Sequence, residues 1–127
     1  EGLVHRTSKG LAVRSKSELI IADALDRAGL NPVYEKPLKF GSGVRYPDFT
    51  IEDDISGRTI YWEHLGMLDR EDYRRAWTAK LGWYRSNGVL PAEEGGGPQG
   101  TLITSTETGG HFDAATVQEL IRKYCRA

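Results

Sequence analysis

The sequence predicts an α/β fold in which helices flank a mixed central sheet. Three observations lead to this class: a capped amphipathic helix near the start, a series of short β-branched and aromatic strands separated by turns, and two further helices downstream. The predicted order is α-β-β-β-α-β-α. At 127 residues the chain has the length of one domain, so we expect a single domain over residues 1–127. The chain opens at Glu1 rather than Met, which suggests a domain excised from a larger protein.

The first helix is predicted over residues 16–28. Ser15 as the N-cap and Glu18 three residues later have the spacing of a capping box, which marks a helix start. Gly29 suits the end of the helix, and Pro32 prevents its continuation. Glu18 also begins the apolar stripe that must pack on the sheet, so its side chain is expected either to cap the helix or to point inward.

Three strands are predicted after this helix, over residues 33–38, 44–52 and 59–65. Valine, isoleucine and aromatic residues are frequent in them, and the segments between them are rich in glycine, serine and aspartate. The turn at residues 53–57 would join the second and third strands as a hairpin.

The second half of the chain predicts a helix, a loop, a strand and a last helix. The second helix should begin near Asp69, a residue type that caps helices, and end at Gly88. The run at residues 91–100 contains three consecutive glycines flanked by prolines, so we expect a mobile loop without regular structure. A short β-branched strand is predicted over residues 101–105, and Asp113 should cap the last helix.

The composition limits the classes of partner and compartment. Seventeen basic and eighteen acidic residues leave a net charge of −1, so any DNA contact must be local or shared with another domain. Cys125 is the single cysteine, which excludes an internal disulfide and suits a reducing cytosol. Neither a bilayer-spanning apolar run nor a leader-like segment is present, so we expect a cytoplasmic protein without membrane contact.

Two acidic residues occur within apolar, aromatic strands. Because side chains alternate along a strand, Asp48 and Glu63 can lie on one face of the predicted hairpin. Two neighbouring carboxylates would raise one another's pKa, whereas a divalent cation would keep both ionised. The pattern therefore indicates a cation site, and the alternative is a pair of partly solvated or salt-bridged acids. His64 alternates away from Glu63, so its ring is expected to be structural.

Lys80 lies on the inward face of the predicted second helix. It shares a stripe with Tyr73, Trp77 and Tyr84 at helical spacing, which turns its stem toward the sheet. Its ammonium group either extends along the surface to water or meets a specific acidic partner. The aromatic residues of this stripe are interpreted as core.

Four short phrases, with Lys80 and Trp83-Tyr84 downstream, carry a family resemblance. The phrases are Val13-Arg14-Ser15-Lys16-Ser17-Glu18, Tyr34-Glu35-Lys36-Pro37-Leu38, Tyr46-Pro47-Asp48-Phe49 and Tyr61-Trp62-Glu63-His64-Leu65-Gly66-Met67. Their order and spacing over residues 10–106 resemble the PD-(D/E)XK nuclease superfamily, which has the restriction-endonuclease-like fold. The nearest resemblance is to nuclease-like domains attached to bacterial and phage helicases and ATPases.

The resemblance implies a fold and a metal site. The family has an α-β-β-β-α-β core with a mixed central sheet. Asp48 matches the motif aspartate that follows a proline, and Glu63 matches the next motif acid; both would bind Mg²⁺ or Mn²⁺. The backbone carbonyl of His64 would complete the metal shell, and Glu18 would hold a metal-bound water.

The chain departs from the family at the motif lysine. The motif places a lysine two residues after the second acid, where this chain has Leu65. Migration of this lysine to the next helix is known in the superfamily, so Lys80 is the expected substitute. The catalytic residues implied are then Asp48, Glu63, Lys80 and Glu18.

The function implied is metal-dependent hydrolysis of DNA phosphodiester bonds. The enzyme would be a Mg²⁺- or Mn²⁺-dependent deoxyribonuclease, with DNA as its substrate and a helicase or ATPase domain, in the same or a partner chain, as its partner. Two alternatives stay open. One is a catalytically inactive module that binds nucleic acid, and the other is a protein-interaction domain with the nuclease fold in which the acids pair with arginines.

Overall fold

The computed structural model describes residues 4–107 and 109–125. Nine strands and three α-helices lie in these ranges. In chain order they are β1 (His5–Arg6), β2 (Ala12–Val13), α1 (Lys16–Arg27), β3 (Val33–Tyr34), β4 (Leu38–Phe40), β5 (Gly43–Arg45), β6 (Phe49–Glu52), β7 (Thr59–Leu65), α2 (Glu71–Ser86), β8 (Val89–Pro91), β9 (Gly100–Thr106) and α3 (Ala114–Leu120). A 3₁₀ turn at Ala92–Glu94 follows β8, and a π-helical turn at Ile121–Cys125 continues α3.

Five strands form the central sheet, in the order β3-β6-β7-β9-β8. The contacts of β3 with β6 and of β6 with β7 are antiparallel, whereas β9 runs parallel to both β7 and β8. The sheet is therefore mixed, which confirms this part of the predicted class. β7 lies at its centre and coincides with the predicted strand at residues 59–65.

Helices cover both faces of the sheet. On one face, α1 and α3 bury a large apolar cluster against side chains of β6, β7 and β9, among them Phe49, Ile60 and Trp62. On the other face, Trp83 and Tyr84 of α2 pack against a smaller cluster. This arrangement confirms the α/β class with flanking helices. No helix in the described part of the chain is long and apolar enough to cross a membrane.

The predicted caps of two helices are confirmed. The Oγ atom of Ser15 accepts a hydrogen bond from the backbone N–H of Glu18 at 3.1 Å, as an N-cap does. Gly29, with φ at +79°, follows the end of α1 in the left-handed conformation that terminates helices. Asp113 caps α3 by accepting from the N–H of Ala115 at 2.9 Å. The predicted cap of α2 is wrong, because Arg70 occupies the N-cap position rather than Asp69.

The strands predicted over residues 33–38 and 44–52 are each interrupted. β4 and β5 leave the central sheet and pair with one another as a separate two-stranded ribbon. Pro37 and Pro47 flank this ribbon and have no N–H to donate to a ladder. At the base of the ribbon, Glu35 adopts a positive φ of 52°, and its N–H bonds the carbonyl of Asp48 at 3.0 Å. Asp48 consequently lies where the ribbon rejoins the sheet.

The glycine-rich run at residues 91–100 is folded, so the prediction that it lacks regular structure is wrong. It contains the end of β8, the 3₁₀ turn and an antiparallel bridge between Gly97 and Gly100. A Cβ atom on Gly97 would lie 2.2 Å from the carbonyl oxygen of Gly88, and one on Gly100 would lie 2.5 Å from the ring of Tyr61. These glycines are needed for close packing of backbone on its neighbours. β8 and the β1–β2 ribbon were also absent from the sequence prediction.

Candidate functional site

The candidate site lies where the start of β6 and the end of β7 meet α2. The antiparallel register pairs Phe49 with Trp62, and one further step sets Asp48 opposite Glu63. Directly opposed residues of an antiparallel pair project to the same face. Both acids accordingly line one pocket of about 220 Å³ on the α2 face. The remaining lining residues are His64, Leu65, Tyr73, Ala76, Trp77 and Lys80.

Glu63 is a buried carboxylate with two donors on one oxygen. Its Oε2 atom accepts from the ammonium of Lys80 at 2.6 Å and from the hydroxyl of Tyr84 at 2.5 Å. Burial raises the pKa of the Glu63 carboxyl, and Lys80 and Tyr84 oppose that rise by favouring the charged form. Burial and the adjacent Glu63 charge raise the pKa of the Tyr84 phenol, so Tyr84 stays a donor at neutral pH.

In the described part of the chain, no ion pair to Asp48 is found, whereas Glu63 pairs with Lys80. Its Oδ2 atom, that of Asp48, accepts from the backbone N–H of His64 at 2.7 Å. The carboxylate thus takes the place of the backbone carbonyl that would accept this N–H in a regular antiparallel pair. Burial, followed by the charge of Glu63, raises the pKa of the Asp48 carboxyl to about 7. Near neutral pH the carboxyl is therefore close to half protonated. A cation bound beside it would favour the ionised form and lower its pKa.

Lys80 supplies the positive charge of the pocket from α2. Besides its contact with Glu63, its ammonium donates to the backbone carbonyl of Tyr46 at 3.2 Å, and a quarter of its side chain is exposed. Leu65 lines the same pocket and is buried. The structure thus brings a lysine from the neighbouring helix to the acid that β7 carries.

Glu18 lies beside the pocket rather than in it. Its Oε1 atom accepts from the hydroxyl of Tyr34 at 2.8 Å and from the backbone N–H of Arg14 at 3.1 Å. The second contact satisfies a donor one residue before the N-cap Ser15, so the carboxylate acts in a shifted form of the capping box. Glu18 is half-buried, and its charge makes a minor contribution to the raised pKa of Asp48.

His64 connects the pocket to the other face of the sheet. Its ring is buried there, with Nδ1 2.9 Å from the Ser105 hydroxyl and Nε2 3.1 Å from a carboxylate oxygen of Glu107. An ionised Glu107 needs a donor, so Nε2 carries the proton and Nδ1 accepts from Ser105. On the pocket side, the carbonyl of His64, named above as a metal ligand, accepts from the Tyr73 hydroxyl at 3.3 Å.

The groups of the pocket that could hold a magnesium or manganese ion are two carboxylates and one backbone carbonyl. Among the described residues, no group of three or more histidine, cysteine, aspartate or glutamate side chains is placed to hold one ion. Mg²⁺ is commonly bound through one or two carboxylates while it keeps several waters. Asp48, Glu63 and the His64 carbonyl are the oxygen donors in this pocket, and the pKa of Asp48 is raised first by burial and then by the charge of Glu63.

Three tyrosine hydroxyls belong to the site and were not assigned a polar role from the sequence. Tyr84 donates to Glu63, Tyr73 to the His64 carbonyl and Tyr34 to Glu18. The helical spacing did place Tyr73 and Tyr84 on the inward face. Spacing alone does not show which group a tyrosine hydroxyl contacts. Within the described ranges neither Asp48 nor Glu63 pairs with an arginine, whereas Arg14 pairs with Glu35 at 2.5 Å.

The chain is similar to part of an archaeal protein that is described as uncharacterized. No family model matches the chain, and no solved structure matches it. Over 83 residues the chain is 40% identical to an uncharacterized protein of Methanocaldococcus jannaschii. The aligned segment covers 65% of this chain but 7% of that protein, so the similarity concerns a small part of a much longer relative.

Proposed function

We propose that this chain is a metal-dependent DNA phosphodiesterase domain with a restriction-endonuclease-like core. The observation that carries the proposal is the approach of Lys80 to Glu63, beside Asp48, in a pocket where the family's motif lysine is replaced by Leu65. The succession α1, β3, β6, β7, α2, β9 supports the fold assignment, because it follows the α-β-β-β-α-β order of that family.

Asp48, Glu63 and the backbone carbonyl of His64 would hold Mg²⁺ or Mn²⁺. Hard oxygen donors favour these ions over zinc. Bound there, the ion would polarise the scissile phosphate and lower the pKa of a water nucleophile. Asp48 must be ionised to act as a ligand, so ion binding would release a proton when the pH lies below the raised pKa of that carboxyl.

The chain's own residues would supply positioning and charge. Lys80 is fixed by Glu63 and by the Tyr46 carbonyl, which leaves its remaining N–H donor for a phosphate oxygen or the attacking water. The Tyr84 hydroxyl holds Glu63 from the core side and limits its rotation. Glu18 is anchored by Tyr34 and contributes negative charge near Asp48.

Cleavage assays on single- and double-stranded DNA with Mn²⁺ test the proposal. Lys80→Ala and Asp48→Asn should each reduce cleavage on the order of a hundredfold or more, as for the loss of one electrostatic group at a reacting centre. Lys39 is an exposed lysine on the β4–β5 ribbon, so Lys39→Ala serves as the matched control and should cleave like the parent chain. Equal cleavage by Lys80→Ala and the parent would refute the role of Lys80.

A catalytically inactive nucleic-acid-binding module is the second candidate. It is favoured by the occupation of Glu63 Oε2 by both Lys80 and Tyr84, which leaves fewer lone pairs for an ion. Calorimetric titration with Mn²⁺ separates the two candidates, with Asp48→Asn as control. The nuclease predicts an ion that binds the parent chain and not the variant, and the inactive module predicts no such difference.

Recruitment by a DNA-translocating partner completes the proposal. A net charge of −1 gives little general attraction to DNA, so a helicase or ATPase in the same or a partner chain would raise the local DNA concentration. The matched segment occupies a small part of a much longer relative, which supports a domain that works inside a larger protein.

A further inference from the structure

A second hollow adjoins the candidate pocket. It has a volume of about 470 Å³ and lies between the end of β5 and α2. Its lining residues are Val44, Arg45, Tyr46, Ala76, Ala79 and Lys80. Ala76 and Lys80 line the candidate pocket as well, so the two hollows are neighbours along α2. We call this second hollow the Tyr46 groove.

Tyr46 is an exposed aromatic side chain at the rim of this groove. The residue is 57% exposed, and none of the described residues stacks on its ring or hydrogen-bonds its hydroxyl. Its backbone is nevertheless fixed, because its carbonyl accepts from Lys80 at 3.2 Å and the following Pro47 restricts its backbone to extended conformations. The chain thus presents an exposed aromatic ring on a residue whose backbone carbonyl bonds the candidate catalytic lysine.

The charge of the groove suits a phosphate. Arg45 and Lys80 contribute two cations, of which Lys80 also pairs with Glu63 in the adjoining pocket, and the groove lining contains no acidic residue. The Arg45 guanidinium lies 4.8 Å from the centre of the Trp83 ring and donates to the carbonyl of Val44, a residue of the groove lining, at 2.9 Å. A larger hollow at the opposite end of β6 is lined instead by three acids over residues 52–54, which would repel a phosphate.

We propose that the Tyr46 groove binds an unstacked nucleotide of single-stranded DNA, with its base on the Tyr46 ring and its phosphate near Lys80 and Arg45. Within a duplex both faces of a base are covered by its neighbours, so only an unstacked base can lie on an exposed side chain. The alanines of α2 leave room for the nucleotide opposite Tyr46. The position of this nucleotide next to a scissile phosphate rests on the proposed function. The stacking of its base on Tyr46 requires neither a bound metal nor cleavage.

Binding without cleavage tests the groove separately from the nuclease. Fluorescence anisotropy would measure the affinity of the full chain for a labelled thymidine strand of about eight nucleotides, in chelator so that no hydrolysis occurs. Tyr46→Ala should weaken binding about tenfold, whereas Tyr46→Phe keeps the ring and should stay within about twofold of the parent. Ile55→Ala, at a 90% exposed position in the turn after β6, should bind like the parent. Circular dichroism would verify folding.

An abasic strand of the same length identifies the contact. The loss caused by Tyr46→Ala should disappear on this strand, because it has no base to stack. Equal binding of the thymidine strand by Tyr46→Ala and the parent, an equal loss on both strands, or no binding by the parent would each overturn the groove. A Tyr46-dependent affinity in a chain that does not cleave DNA with Mn²⁺ would support the groove and overturn the nuclease. Cleavage of DNA by a chain whose binding does not change in Tyr46→Ala would support the nuclease and overturn the groove.

Discussion

At the scale of single residues, Glu63 depends on Lys80 for its charge. Removal of Lys80 leaves a buried carboxylate with Tyr84 as its main donor, and the carboxyl must then take up a proton or stay uncompensated. We expect Lys80→Ala to lower the free energy of unfolding by about 2 kcal/mol at pH 8, less than for a fully buried pair because a quarter of the Lys80 side chain is exposed.

A double-mutant cycle checks this coupling. Glu63→Gln removes the charge while keeping the shape, so the Lys80→Ala substitution should cost much less in that background. Urea denaturation of the four chains would give the interaction energy. Additive effects of the two substitutions would show that the ammonium and the carboxylate do not depend on one another in solution.

Asp48 should make the metal-free chain less stable as the pH rises. Its pKa is raised to about 7 in the folded chain, whereas an unfolded aspartate titrates near 4. The folded state therefore holds the proton more tightly, and the stability present at low pH is lost between about pH 4 and about pH 7. The raised pKa of Glu63 acts in the same direction.

Denaturant unfolding in chelator at pH 5.5 and pH 8 measures this effect. The free energy of unfolding of the parent should be lower at pH 8 on the order of 2 kcal/mol, and Asp48→Asn should remove most of that difference and leave the contribution of Glu63. Acids whose pKa is lowered, such as Glu107 beside His64, change stability only at more acidic pH and do not obscure the comparison. A parent chain whose stability did not fall between the two pH values would exclude a buried, uncompensated Asp48.

At the scale of elements, local sequence signals predicted the helices and central strands. They did not predict where the backbone leaves the central sheet. Capping side chains determine where α1 and α3 begin, and these residues are visible in the sequence. The alternation of β7 likewise predicted its bounds and its inward Glu63. The β4–β5 ribbon was not predicted, because its separation from the sheet depends on two prolines and on the backbone of Glu35 acting together.

The glycine-rich run shows a second limit of sequence interpretation. A missing side chain can provide backbone freedom or room for a neighbour, and the residue type is the same in both cases. Gly97 has an ordinary φ, but its Cα lies against the Gly88 carbonyl. The structure shows the second role at Gly97, whereas Gly95 and Gly96 have positive φ and use the backbone freedom of glycine.

Gly97→Ala should consequently destabilise the chain. The added methyl would meet a backbone oxygen at 2.2 Å, so β8 or the turn must shift, at a cost of about 2 kcal/mol. Gly41 is the matched control, because a Cβ there meets nothing within 4 Å and its φ is not positive. Thermal unfolding should show a clear loss for Gly97→Ala and almost none for Gly41→Ala. Equal effects would indicate that the run is loosely packed in solution.

At the scale of the whole molecule, the sheet separates two polar networks that share one residue. The pocket with Asp48 and Glu63 faces α2, and the ring of His64 binds Ser105 and Glu107 on the opposite face. The backbone N–H of the same residue, His64, donates to the Asp48 carboxylate on the pocket side. Packing behind the sheet thus determines the position of the peptide that holds Asp48.

The charge of the whole chain predicts weak DNA binding with a shallow salt dependence. A net charge of −1 provides no broad basic surface, so phosphate contacts should be limited to the cations of the Tyr46 groove. One phosphate held there gives a slope of about −0.7 for the logarithm of the association constant against the logarithm of salt concentration on a single strand. Anisotropy titrations at several KCl concentrations would measure it. Arg45→Gln should weaken binding and make the slope shallower, because it removes one of the two cations at that phosphate. A slope several times steeper would reveal phosphate contacts outside the groove, and the chain would then need no partner to reach DNA.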